Sequence, residues 1–270
     1  MNSIFKVIGT FCLLLLFFGS VCGQAISLVK KVPLKNLVVT GSIDRGGNIY
    51  IADKKGSLYK MDSAGVLLHT YSPDRKGKIN YLEAWETLNV LLFYGDLQEY
   101  RYLNRFLTQL ATQRLPQNIF ASLLTPSADN SIWVFDDSDF TLKKLNTGYN
   151  AIEIVTDLSG IVDVNFQGAH IREYQHLIFM ADSQAGIYVF DNLGNYIRTL
   201  TFSNVHYFSF LQNKLYFLSG NNVLFYDIYT GEEWTIPIPL EQEYKLVLAT
   251  DTRLYLVAER SIDIYQYAVD

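Results

Sequence analysis

Leu177-Ile-Phe-Met-Ala-Asp182, a short polar turn, Gly186-Ile-Tyr-Val-Phe-Asp191, a second turn at Asn192-Leu-Gly194 and a last run Tyr196–Phe202 form the stretch that decides the fold. Its β-branched and aromatic residues run in short blocks punctuated by Gly, Asn and Asp, the pattern of antiparallel strands joined by tight turns. The same form recurs along the chain. Asn48-Ile-Tyr-Ile-Ala-Asp53, Asn89-Val-Leu-Leu-Phe-Tyr-Gly95 and Ser131-Ile-Trp-Val-Phe-Asp136 come before it; Lys214-Leu-Tyr-Phe-Leu-Ser-Gly220 and Arg253-Leu-Tyr-Leu-Val-Ala-Glu259 come after. Anchored on Tyr50, Leu91, Trp133, Phe179, Tyr216 and Tyr255, the copies stand 41, 42, 46, 37 and 39 residues apart. A repeat of that period signals a solenoid or a propeller.

Upstream of each anchor lies another apolar stretch: Leu37–Thr40, Ile79–Ala84, Ile119–Leu124, Ile161–Phe166, Val205–Phe210 and Leu246–Thr250. This predicts an all-β chain, a six-bladed β-propeller with four-stranded antiparallel blades. The sixth copy stops one strand short, and Ala25–Val32 supplies a spare strand ahead of the first. Pairing the two closes the ring with an N-terminal strand and removes an open edge. The least regular section is 96–118, where Gln98–Leu110 reads either as a helix or as two strands.

Two copies resemble NHL repeats. Ile49-Tyr-Ile-Ala-Asp53 through Leu58-Tyr-Lys-Met-Asp62 and Gly65 fits that pattern, and Met180-Ala-Asp182 through Ile187-Tyr-Val-Phe-Asp191, Gly194 and Ile197-Arg-Thr-Leu200 fits it better. The arginine usual before the third strand is replaced by Ser57 and Gly186. The resemblance implies a six-bladed NHL-like or TolB-like propeller, a fold that hosts enzymes, receptors and scaffolds alike.

Residues 1–23 carry Lys6, an apolar run from Val7 to Phe18 and small residues before Gln24, which predicts a signal peptide cleaved after Gly23. An uncleaved anchor and a lipid-modified Cys22 are the alternatives. Cys12 and Cys22 both lie in this segment, so residues 24–270, read as one propeller domain, contain no cysteine for a disulfide, thiolate site or nucleophile. The expected location is exported: periplasm or outer-membrane-associated in a Gram-negative bacterium. With 22 Lys+Arg against 27 Asp+Glu, the 270-residue chain offers no basic field for nucleic acid. Its 49% apolar content excludes intrinsic disorder.

Asp53, Asp136, Asp182 and Glu259 end second strands, with Asp96 and Asp137 nearby. Such carboxylates suit Ca²⁺, yet Asp also suits the turn itself by accepting backbone N–H groups, and its repetition favours the turn. No cofactor is expected. His69, His170, His176 and His206 form no zinc-protease motif, and there is no Gly-x-Ser-x-Gly elbow or phosphate loop. The longest anchor spacing predicts a protruding loop at His170–His176 carrying Arg172 and Glu173. Tyr100, Arg101, Tyr102, Arg105 and Phe106 mix the residue types of binding hot spots, and also suit packing between blades. Glu83, Asp163, Asn165 and His206 are the candidates for a central channel. The expected role is a non-enzymatic binding or scaffold propeller acting through rim loops on a protein partner in the envelope. The alternatives use the central channel, as a metal-dependent lactonase-like hydrolase or a small-ligand or carbohydrate binder.

Overall fold

The computed structural model describes residues 26–163 and 165–267. The segment read as a signal peptide lies outside the described residues. Twenty-four strands build six four-stranded antiparallel sheets, and there is no helix among the described residues. None of these residues therefore form a helix long and apolar enough to cross a membrane.

Blade 1 is β2 (Val38–Ile43), β3 (Ile49–Asp53), β4 (Leu58–Met61) and β5 (Leu67–Tyr71). Blade 2 is β6 (Ile79–Glu83), β7 (Asn89–Tyr94), β8 (Glu99–Asn104) and β9 (Gln109–Arg114). Blade 3 is β10 (Ala121–Pro126), β11 (Ser131–Asp136), β12 (Thr141–Asn146) and β13 (Ala151–Asp157). Blade 4 is β14 (Gly168–Tyr174), β15 (Leu177–Asp182), β16 (Gly186–Asp191) and β17 (Tyr196–Leu200). Blade 5 is β18 (Ser209–Leu211), β19 (Lys214–Ser219), β20 (Asn222–Asp227) and β21 (Glu233–Pro237). Blade 6 is β22 (Tyr244–Ala249), β23 (Arg253–Ala258) and β24 (Ser261–Gln266), completed by β1 (Ser27–Pro33). β1 pairs antiparallel with β24 from Ser27↔Gln266 to Pro33↔Ser261, closing the ring as the sequence predicts. The irregular 96–118 section holds two strands, β8 and β9.

The core is not one central mass but six wedges, one between each pair of neighbouring blades. Successive side chains of a strand point to opposite sheet faces, so each second strand feeds two wedges. Ile49 and Ile51 enter the wedge between blades 6 and 1, while Tyr50 and Ala52 enter the next one. This is why these strands read as unbroken apolar runs, as strands buried on both faces do. All six anchors, Tyr50, Leu91, Trp133, Phe179, Tyr216 and Tyr255, point into the following wedge. One register therefore runs around the whole ring.

The first strand of each blade lines the central channel. Connections into that strand, and turns between second and third strands, lie on one face, here the entry face. Turns between first and second and between third and fourth strands lie on the opposite, exit face.

Two first strands differ from expectation. In blade 5 only Ser209 and Phe210 of the expected Val205–Phe210 lie in a strand, and Val205 and Phe208 pack into the wedge between blades 4 and 5 from the connection before it. Ile161–Phe166 is not the inner strand of blade 4; β14, at Gly168–Tyr174, takes that place. Val162 is buried in the wedge between blades 3 and 4, with Ile161 and Phe166 packed against it. Their alternation reflects packing of the connection, not pairing in a sheet. The predicted loop at His170–His176 is accordingly corrected: most of it is channel-lining strand, and only Gln175 and His176 form the turn.

Candidate functional site

β14 carries the polar residues that fill the channel. Arg172, buried, reaches across the axis to Glu83 at the end of β6, with Nε 3.0 Å from Oε2. The Glu83 carboxylate also accepts the Trp85 backbone N–H at 2.8 Å and the Tyr81 hydroxyl at 3.3 Å. Arg172 Nη1 donates to Ser209 Oγ at 2.5 Å, and its guanidinium lies 5.6 Å from the Trp85 and Phe210 ring centres. Tyr174 stacks on Phe210 with centroids 4.2 Å apart. A buried ion pair persists only where further hydrogen bonds satisfy both ions; with Ser42 Oγ of blade 1 donating to Glu83 Oε1 at 3.5 Å, residues from blades 1, 2, 4 and 5 meet that requirement here.

Above the pair sits His170, between Tyr81 at 5.5 Å and Tyr207 at 4.8 Å. Burial, followed by the Arg172 charge, pushes its pKa down to about 3, so the ring is neutral at physiological pH. Burial likewise holds the Tyr81 and Tyr207 hydroxyls protonated, their pKa values raised. His170 and Tyr207 floor a bowl of about 570 Å³ that opens on the entry face among Asn204, His206, Asn221 and Gln242.

The exit face carries a repeated device that sequence reasoning missed. Each third strand of blades 1 to 5 ends in Asp or Asn, or is followed directly by one, whose side chain accepts N–H groups of the next turn. Asn104 holds the amides of Phe106 and Thr108, Asp191 those of Leu193 and Asn195, and Asp227 those of Tyr229 and Thr230. Asn146 does the same for Gly148 and Tyr149. In blades 2 to 5 each turn thrusts one large apolar side chain into solvent: Phe106 54%, Tyr149 86%, Leu193 63% and Tyr229 65% exposed. The signal was present as Asx followed two or three residues on by Phe, Leu or Tyr.

The structure separates the predicted binding residues. Tyr100 is buried in the wedge between blades 2 and 3, with Tyr102 packed against it. Arg101 is buried as well: it pairs with Glu99, lies 4.2 Å above the Tyr94 ring and donates to the Arg75 carbonyl at 3.2 Å. Arg105 and Phe106 are exposed on the exit face, as is His176. Glu173 faces blade 3, accepting the Trp133 indole N–H at 2.9 Å.

Of the predicted channel set, only Glu83 lines the channel interior. Asp163 and Asn165 are exposed in the connection before β14, with the Asp163 carboxylate accepting the Asn165 amide at 2.7 Å. His206, expected on an inner strand, precedes β18 and is exposed at the bowl. The strand-end aspartates accept backbone N–H groups, whereas Glu259 lies 3.4 Å from Lys245 Nζ. Asp53 accepts the Lys55 and Ser57 amides, Asp136 those of Phe120 and Ser138, and Asp182 that of Gln184. Among the described residues no group of three or more His, Cys, Asp or Glu side chains converges as a metal site requires.

Solved structures share this architecture. A streptogramin B lyase is 14% identical, with 90% of this chain and 98% of that one covered and a TM-score of 0.63. Virginiamycin B lyase from Staphylococcus aureus is 12% identical over 90% and 99%, TM-score 0.63. BamB from Moraxella catarrhalis is 11% identical over 90% and 100%, TM-score 0.50. The likeness is one of fold. No protein-family model matches the chain, and no curated protein matches it in sequence.

Proposed function

We propose that the protein is an exported, non-enzymatic binding propeller that holds a protein partner in an envelope-associated assembly, docking it on the exit-face turns. The observation that carries this reading is the crown of Phe106, Tyr149, Leu193 and Tyr229, presented at matching positions by four successive blades. Exposed aromatic and aliphatic side chains on rigid turns are the anchors around which protein interfaces form. The channel supports the same reading, because Glu83 and Arg172 are engaged with each other and with neighbouring donors and acceptors. The export assignment comes from residues 1–23.

The test is affinity purification of a tagged copy from detergent-solubilised envelopes, with quantitative mass spectrometry. A stoichiometric companion is expected, and its recovery should fall at least tenfold in Phe106→Ser/Tyr149→Ser/Leu193→Ser/Tyr229→Ser, since loss of each anchor costs about 1–2 kcal/mol. A wild-type protein that emerges alone, or a folded variant that keeps its companion in full, would overturn the reading.

A further inference from the structure

The entry face is divided by charge. On blades 1 and 2, the turn after β3 presents Lys54 and Lys55, and the connection into β6 presents Arg75, Lys76 and Lys78, all exposed. The two segments are held side by side. Ser57 Oγ and Ser72 Oγ lie 3.3 Å apart, and a Cβ on Gly56 would stand 2.6 Å from the Gly77 carbonyl oxygen. The buried Arg101 grips the Arg75 carbonyl from beneath, and Asp96 accepts the Lys78 amide at 3.0 Å. Five cations thus face outward with exposed Asp74 and Asp96 among them and the buried Glu99, 4.0 Å from Arg75 and shared with Arg101 and Arg114, beneath, in a chain whose net charge is −5. On blades 3 and 4 the same face presents Asp137, Asp157 and Asp163, with Asp139 paired to the buried Lys143 at 2.6 Å, and no exposed Lys or Arg lies in the connections that carry them.

Between the two sectors stands Phe120, 59% exposed, its backbone tied to the acidic side because the Asp137 amide donates to the Phe120 carbonyl at 3.0 Å. A two-fold axis lying in the face and passing through the boundary of blades 2 and 3 exchanges the cationic sector for the anionic one. It also brings Phe120 against its own copy. We infer that the part of the entry face built by blades 1 to 4 is self-complementary and that two copies of this chain associate through it head to head, with the exposed Glu241, Glu243, Glu259 and Arg260 of blades 5 and 6 outside the complementary patch. Two-fold interfaces use one patch on both subunits, and this patch carries both signs of charge and a central aromatic. A bilayer of uniform negative charge meets repulsion over half of the same face. The arrangement leaves both exit faces pointing outward and stands independently of the partner proposed for them.

Sedimentation equilibrium of the purified chain tests this. In 50 mM NaCl at 100 µM the wild type should have twice the chain mass. It should return to the monomer in 1 M NaCl, where screening acts within about 3 Å. Lys54→Glu/Lys55→Glu/Lys76→Glu turns the cationic sector predominantly acidic, and Asp137→Lys/Asp157→Lys/Asp163→Lys turns the anionic sector predominantly basic. Each should weaken self-association at least tenfold, and an equimolar mixture should restore the dimer, an outcome that an unfolded variant cannot produce. The proposal falls if the wild type is monomeric in 50 mM NaCl, if either variant dimerises as well as wild type, or if the folded variants fail to combine. Monomeric wild type that pellets with phosphatidylglycerol vesicles would give the cationic sector to a membrane instead, and would equally overturn it.

Discussion

His170 shows how burial turns a titratable group into an acid-labile element. Its ring is enclosed by Tyr81, Tyr207 and Phe208, and Arg172 and Glu83 are the charges beneath it. In the unfolded chain its pKa is about 6.5; in the fold it is pushed down to about 3, first by burial and then by Arg172. Below pH 6.5 the unfolded state therefore binds a proton that the native state refuses, so stability falls as pH drops from 6.5 towards 3. At pH 4.5 the loss from this residue is about 2–3 kcal/mol. Carboxylates add their own acid sensitivity, so the informative quantity is a difference. Urea unfolding at pH 7.5 and pH 4.5 should show a smaller acid loss in His170→Phe than in wild type. Equal losses in the two proteins would mean that the native ring accepts its proton freely.

At the scale of the strand and turn, most of the fold is legible because wedge packing demands apolar residues on both faces of each second strand. Leu177–Asp182 and its five counterparts can be read at once. β14 is not legible for the opposite physical reason: Gly168-Ala-His-Ile-Arg-Glu-Tyr174 lines a channel, where His170 and Arg172 are satisfied by partners from distant blades. A polar strand whose partner lies 89 positions away looks locally like a loop. The candidate site suffers similarly, since Tyr100, Arg101 and Phe106 are close in sequence but only Phe106 reaches solvent. In the sequence Gly186 stands out only as a departure from the NHL pattern, yet it is an element-level requirement. It opens β16 at φ +118°, and a Cβ there would run into the Leu200 carbonyl and stand 2.9 Å from the Phe202 nitrogen. Backbone strain and overpacking together predict a cost of about 2–5 kcal/mol for Gly186→Ala. A Cβ on Gly160 would meet nothing within 4 Å, which predicts a change within about 1 kcal/mol for Gly160→Ala. Urea midpoints of the two variants, compared with wild type, check the contrast, and equal midpoints would contradict it.

For the whole molecule, six wedges mean that no blade has a core of its own, so stability depends on the ring being closed. The closing element is β1, whose residues are mostly exposed apart from Val32, yet which covers the edge of β24. Val32 packs with Ile262 and Ile264 in the wedge between blades 6 and 1, and a Cβ on Gly65 of blade 1 would stand 2.5 Å from Val32 Cγ2. β1 therefore ties blade 6 to blade 1 by side-chain packing as well as by its ladder. Without it, β24 presents unpaired N–H and C=O groups to any passing strand. Deleting residues 24–33 should remove roughly 4 kcal/mol or more, counting the lost burial of Val32 and the opened wedge. For a chain of this size that lowers Tm by about 8–16 °C and promotes aggregation on heating. A synthetic peptide of residues 24–33 should restore part of the lost Tm in a concentration-dependent manner, because ligands that bind only the native state stabilise it by mass action. A truncated protein that melts with wild type would show that the wedges hold without closure. A destabilised one that the peptide does not rescue would place the loss in a connection such as Leu34–Leu37 rather than in the pairing of β1 with β24.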